Sequence, residues 1–265
     1  MTLIRRFIRR AFYESWLEAE SQADTAGTGI FDWRPAVVLF TTAITLTVAS
    51  YYGGSVSLAH VFGLDRRDYS VEDWEMLVRV WWTATRCIAY VLIPIATIWL
   101  MPGERVRDYY LTFRGVFRHA WIYVGLYVLV LPVLYWVSTF DSFHATYPFY
   151  RWANQSPRHF WQWQLLYAIQ FVALEFFFRG YMLKGLSHKF GYGAVFVMVV
   201  PYALIHYPKP IPEALSAIGA GIVLGTLAMR LRSIWGGVAI HVAVGFTMDW
   251  LALGYCPPAG VGPCH

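Results

Sequence analysis

The chain has 265 residues, 58% of them hydrophobic and 14% charged. Its mean hydropathy of +0.45 is too high for an ordinary soluble domain. The net charge of +5 lies in short segments between apolar stretches, where it sets topology and is no nucleic-acid footprint. The apolar stretches are long and continuous, which argues against a closed β-barrel with its alternating segments of about 10 residues. The composition predicts an all-α, polytopic helical membrane domain with about seven transmembrane helices and an N-terminal amphipathic helix.

Residues 1–23 read as that amphipathic helix. Arg5, Arg6, Arg9 and Arg10 stand beside Leu3, Ile4, Phe7, Ile8 and Phe12, a pattern suited to an anionic cytoplasmic leaflet. A basic lead-in to the first span is a compatible reading. No cleavable signal peptide is apparent. Spans of about 20 apolar residues then follow at roughly 35–52, 80–101, 121–140, 161–186, 193–207, 214–229 and 234–254. The fifth and sixth are short and close together, so tilting or a re-entrant fold is open.

With the N-terminus inside, thirteen Lys and Arg fall in cytoplasmic segments and six in outer ones. This predicts a multi-pass protein of the inner (plasma) membrane with its N-terminus cytoplasmic. A six-span version, with the C-terminus inside, is left open. The chain divides into 1–34, an amphipathic cytoplasmic segment; 35–160, the first three spans and loops; 161–254, a late core; and 255–265, a tail. Asp65, Asp68, Glu72, Asp73 and Glu75 mark a solvated outer loop. Residues 141–160 read as an aromatic, polar interfacial loop. Cys87 reads as a small core residue, whereas Cys256 and Cys264 can pair if the tail lies outside the cytoplasm. Gly219, Gly221 and Gly225 form a small-residue face, explained by close helix packing.

The chemistry-bearing residues lie in the late spans, where ionisable groups are costly. Glu175 and Arg179 are four apart and share a helix face. A plain intramembrane ion pair explains them, but it is equally a way to hold a Glu in place. His206 ends the fifth span just before Pro208, and His241 lies inside the seventh. Asp249 follows His241 by about two turns and is rotated by roughly 80°. Glu213 reads as a solvated loop end, with a role in orienting His206 as the alternative. The G-x-S-x-G elbow, the Walker loop and H-E-x-x-H are all missing. What remains is activation of water by a carboxylate and histidines.

These stretches resemble the CPBP family of intramembrane endopeptidases, related to the CAAX-prenyl protease. The family's motifs are E-E-x-x-x-R, F-x-x-x-H and a later H-x-x-x-N. Here Leu174-Glu175 with Arg179-Gly180 resembles the first, Tyr202 with His206 the second, and His241 the third. There are two departures. Leu174 stands where the family's first Glu, usually taken as the base, belongs, and Gly245 stands where the oxyanion Asn belongs. The resemblance implies an endopeptidase acting on a membrane-anchored or lipidated protein at the bilayer.

In that reading Glu175 and His206 activate water, and His241 stabilises the oxyanion. Asp249 accepts a hydrogen bond from His241, and Arg179 orients Glu175. No cofactor is assigned. Because His206, His241 and Glu175 also form a His₂Glu inventory, zinc stays open. A non-catalytic membrane binding or immunity protein on the same fold is the alternative. A proton-coupled transporter is a third, weakened by the lack of an evident inverted repeat.

Overall fold

The structure, a computed structural model, describes Glu14 and residues 33–254. The expected amphipathic helix of residues 1–23, Glu14 apart, and both Cys256 and Cys264 lie outside the described residues. Every regular element among the described residues is helical. Six of these helices are long and apolar enough to cross a membrane, and a seventh apolar helix is shorter. The expectation of about seven apolar helices therefore resolves into six plus one.

The helices are α1 (Trp33–Tyr51), α2 (Ser55–Phe62), α3 (Val71–Leu100), α4 (Ala120–Val137), α5 (Asp141–Thr146), α6 (Pro157–Phe190), α7 (Gly193–Leu204), α8 (Ile211–Leu231) and α9 (Trp235–Leu253). The stretch read as the loop 141–160 thus contains α5 and the first turn of α6.

Local chemistry accounts for several boundaries. Ser70 caps α3 by accepting from the Asp73 amide at 3.1 Å, with Glu72 and Asp73 in the first turn. Within α3, Ile88–Leu92 widens to a π-helix just before Pro94. Proline has no N–H to give the preceding turn, so the ladder re-registers there. The helix α8 opens with Pro212 in its first turn and ends at Arg232, whose φ of 50° leaves the helical region.

The chain forms two compact units. One contains the described residues up to Thr45, Leu92–Phe117 and Glu175–Gly237. In it α7 and α8 pack against each other, and both pack on the later part of α6. Gly221 and Gly225 permit that approach: a Cβ on Gly221 would lie 2.9 Å from Val199, and one on Gly225 3.0 Å from Met198. Gly219, grouped with them from its spacing, faces open space.

The other unit contains Leu46–Val91, Arg118–Leu174 and the described residues from Val238 on. Its core includes two clusters among the described residues. Leu134, Phe143, Tyr147, Met248 and Ala252 form one, and Tyr150, Ala153, Trp163, Tyr167 and Phe171 form the other. Large apolar side chains such as Trp99, Leu129 and Leu165 stay exposed on the long helices. In a membrane helix these are lipid-facing positions.

Candidate active site

Glu175 is the last residue of the α-helical part of α6, and the next seven residues, Phe176–Met182, are wound as a π-helix. Single-turn π segments of this kind are frequent at functional sites. Both Glu175 and Arg179 are fully buried, and their side chains form an ion pair at 3.2 Å. The Arg179 guanidinium also lies over the Tyr202 ring, 4.0 Å from its centroid. At that distance the ring face adds a cation–π attraction to the ion pair.

Tyr202 in turn connects to His206. The two rings are 4.8 Å apart, and His206 Nδ1 donates to the Tyr202 carbonyl at 2.8 Å. The donated hydrogen fixes the tautomer and leaves the basic lone pair on Nε2. The structure thus brings Glu175, Arg179, Tyr202 and His206 into one run of contacts within a single unit. The sequence left tilting of the short fifth span, which His206 ends, open. The structure supplies a short α7 of 12 residues, ending just before His206, and the bridging residues Arg179 and Tyr202.

A further contact was not legible in the sequence. A Cβ on Gly237 would lie 2.2 Å from Glu175 Oε2, so only glycine admits the carboxylate here. Gly237 is the third residue of α9. First-turn N–H groups lack intrahelical acceptors, and the dipole there favours an anion. The one available signal was the Gly236-Gly237 pair at a helix start. Gly180 marks a second close approach: its Cβ would lie 2.9 Å from the Tyr109 carbonyl oxygen.

Glu213 pairs with Lys209 at 2.6 Å. The Lys209 amide donates to the His206 carbonyl at 2.9 Å. Glu213 therefore reaches the loop that carries His206 through Lys209.

His241 and Asp249 lie in the other unit. The Phe171 ring stacks on His241 at 5.2 Å. Asp249 is fully buried, and its Oδ2 accepts from Trp163 Nε1 at 2.7 Å and Gln164 Nε2 at 2.8 Å. These two donors explain how a carboxylate is tolerated at this depth. Neither was singled out in the sequence.

The departure at Gly245 has a packing consequence. A Cβ there would meet Phe171 at 2.8 Å and Tyr167 at 3.0 Å, so two aromatic rings fill the place an Asn side chain would need. Leu174, the other departure, is buried.

Among the described residues, no three of His, Cys, Asp and Glu come together in a set fit to hold a metal ion.

Fold and site together define a polytopic, all-helical membrane protein with a buried Glu–Arg pair joined to a histidine. Residues 156–247 match the family model described as Type II CAAX prenyl endopeptidase Rce1-like, so this stretch of the chain is similar to that family. The matched stretch includes Glu175, Arg179, His206, Glu213 and His241 and stops short of Asp249. No curated protein and no solved structure is matched.

Proposed function

We propose that this chain is an intramembrane endopeptidase that hydrolyses a peptide bond of a membrane-anchored or lipidated protein, with water activated by His206 and Glu175. The observation that carries the reading is the buried Glu175–Arg179 pair tied through Tyr202 to His206. With Nδ1 engaged, His206 Nε2 takes the proton from water as the hydroxide adds to the peptide carbonyl. The resulting imidazolium returns that proton to the leaving amine. Glu175, oriented by Arg179, accepts a hydrogen bond from the same water and positions it for attack.

His241 keeps the role of oxyanion donor from its motif order. Asp249 is assigned a positioning role through Trp163 and Gln164, and Glu213 one through Lys209. No cofactor is needed for these steps. The protein is proposed to sit in the inner (plasma) membrane with its N-terminus cytoplasmic.

The test is cleavage of membrane-anchored and prenylated peptides by purified protein, with and without chelator, beside Glu175→Gln. Cleavage that survives chelator and falls at least about tenfold in the variant supports the reading. Chelator-sensitive cleavage overturns the metal-free step.

A second reading, a non-catalytic membrane binding or immunity protein, is favoured by the filled position beside Gly245 and by Leu174. It expects the biological function to persist unchanged in both Glu175→Gln and His206→Gln.

A further inference from the structure

The helix start that receives Glu175 is not fixed by its own sequence. The first turn of α9 contains Gly236 and Gly237 in succession. Glycine has more backbone freedom than any other residue, so two in a row leave that turn loose. Yet the Glu175 carboxylate lies so close to Gly237 that a Cβ there would be 2.2 Å from Oε2. Such an approach needs the turn held from outside.

The segment between α3 and α4 holds it. Leu111 pairs with Ser233 in an antiparallel bridge. The Ile234 amide donates to the Tyr110 carbonyl at 2.9 Å, and Trp235 Nε1 donates to the Leu111 carbonyl at 3.0 Å. The Phe113 ring stacks on Trp235 with centroids 4.3 Å apart. The same segment reaches the π-helical part of α6. A Cβ on Gly180 would lie 2.9 Å from the Tyr109 carbonyl oxygen and 3.7 Å from Ile234 Cγ2. Residues 109–113 therefore touch both the π segment that follows Glu175 and the helix start that receives it.

The backbone on both sides of the bridge is unusual. Tyr110, just before Leu111, has φ of 60°, and Arg232, just before Ser233, has φ of 50°. Residues with side chains rarely adopt this left-handed conformation, least of all a bulky aromatic. It persists only where the surroundings impose it, and such positions cluster at functional sites.

We propose that residues 109–113 form a clamp that positions Glu175 against α9, with Phe113 and Trp235 as positioning residues. Both act through the backbone of α9, whose first turn fixes the place of the carboxylate. The inference rests on the reading of Glu175 as the group that positions the attacking water, and extends it to the α3–α4 segment. A small misplacement of that water slows the chemical step while leaving substrate binding alone.

The test uses three variants of the full chain in detergent. Phe113→Ala removes the ring from a residue that is 54% exposed, so the fold is kept. Trp235→Phe keeps the ring and removes the donor. Phe113→Tyr keeps the stack. Hydrogen–deuterium exchange is followed by mass spectrometry over residues 233–240 and over Phe176–Met182, beside cleavage of a membrane-anchored peptide. Phe113→Ala and Trp235→Phe are each expected to speed exchange at least about threefold in both stretches. They are expected to lower kcat at least about tenfold at unchanged KM. Phe113→Tyr is expected to match the wild type in both respects.

Exchange that rises only in 233–240, or in neither stretch, overturns the clamp. So does an equal loss in Phe113→Tyr, or a loss confined to KM. If the wild type cleaves no peptide, the exchange alone decides: a joint rise in both stretches upholds the clamp and counts against the protease. Cleavage by the wild type with full kcat in Phe113→Ala and Trp235→Phe does the reverse.

Discussion

At the residue scale the Glu175–Arg179 pair decides most. Both groups are fully buried, so each makes the other tolerable. Arg179→Met strands a buried carboxylate and is expected to cost about 3–5 kcal/mol. The double variant Glu175→Gln/Arg179→Met is expected to recover much of that stability and none of the activity. Thermal unfolding in detergent, run beside a cleavage assay, checks both. A double variant as unstable as Arg179→Met would count against the pair as the source of the cost.

Gly237→Ala tests the crevice that receives Glu175. A methyl group 2.2 Å from Oε2 forces the carboxylate to move, with an expected loss of about 1–3 kcal/mol and of activity. An unchanged melting temperature would contradict it. The residues of the pair were legible in the sequence, because a Glu and an Arg four apart in an apolar stretch admit few explanations. Gly237 was not, because a glycine at a helix start looks like ordinary packing until the fold brings Glu175 against it; Tyr202 was visible as the opening of the second motif, but its contact with Arg179 was not.

At the element scale, α7 and α8 are matched through glycine. The same Cβ addition is expected to behave differently at two positions. Gly225→Ala meets the end of the flexible Met198 side chain at 3.0 Å, and Gly221→Ala meets Val199 at 2.9 Å. Methionine adapts, whereas a β-branched valine is stiff at χ1. Gly221→Ala is therefore expected to lower stability more, by about 1 kcal/mol or above; equal melting temperatures for the two variants would contradict this.

The sequence showed apolar spans and a small-residue face, but spacing alone grouped Gly219 with its neighbours. Helix boundaries, the π segments and the short α5 also escaped it. Runs of apolar residues report burial in lipid and carry little information about hydrogen-bond register.

At the scale of the whole molecule, hydropathy made the all-helical membrane fold legible, because a bilayer admits few alternatives for long apolar stretches. How α7 contributes to topology was not legible. Its 12 residues extend about 18 Å, short of a hydrocarbon core of about 30 Å. If α7 crosses as a seventh span, the distribution of Lys and Arg is expected to put the C-terminal tail outside. Cys256 and Cys264, after reduction, are then expected to react with a membrane-impermeant maleimide in intact cells. Labelling only after lysis would point to the re-entrant alternative.

The late spans carry, in order, stretches that resemble the family's motifs, but the two departures could be weighed only with packing in view. Gly245 is covered by aromatic rings, and Glu175 is committed to Arg179. That leaves His206 as the group on which the proposed chemistry turns. The most direct measurement is cleavage of a membrane-anchored peptide, read by mass spectrometry, for the wild-type protein and His206→Gln at matched melting temperature. The proposal expects a defined cleavage product from the wild type and a drop of at least about 100-fold in the variant. Equal product from both proteins would contradict it.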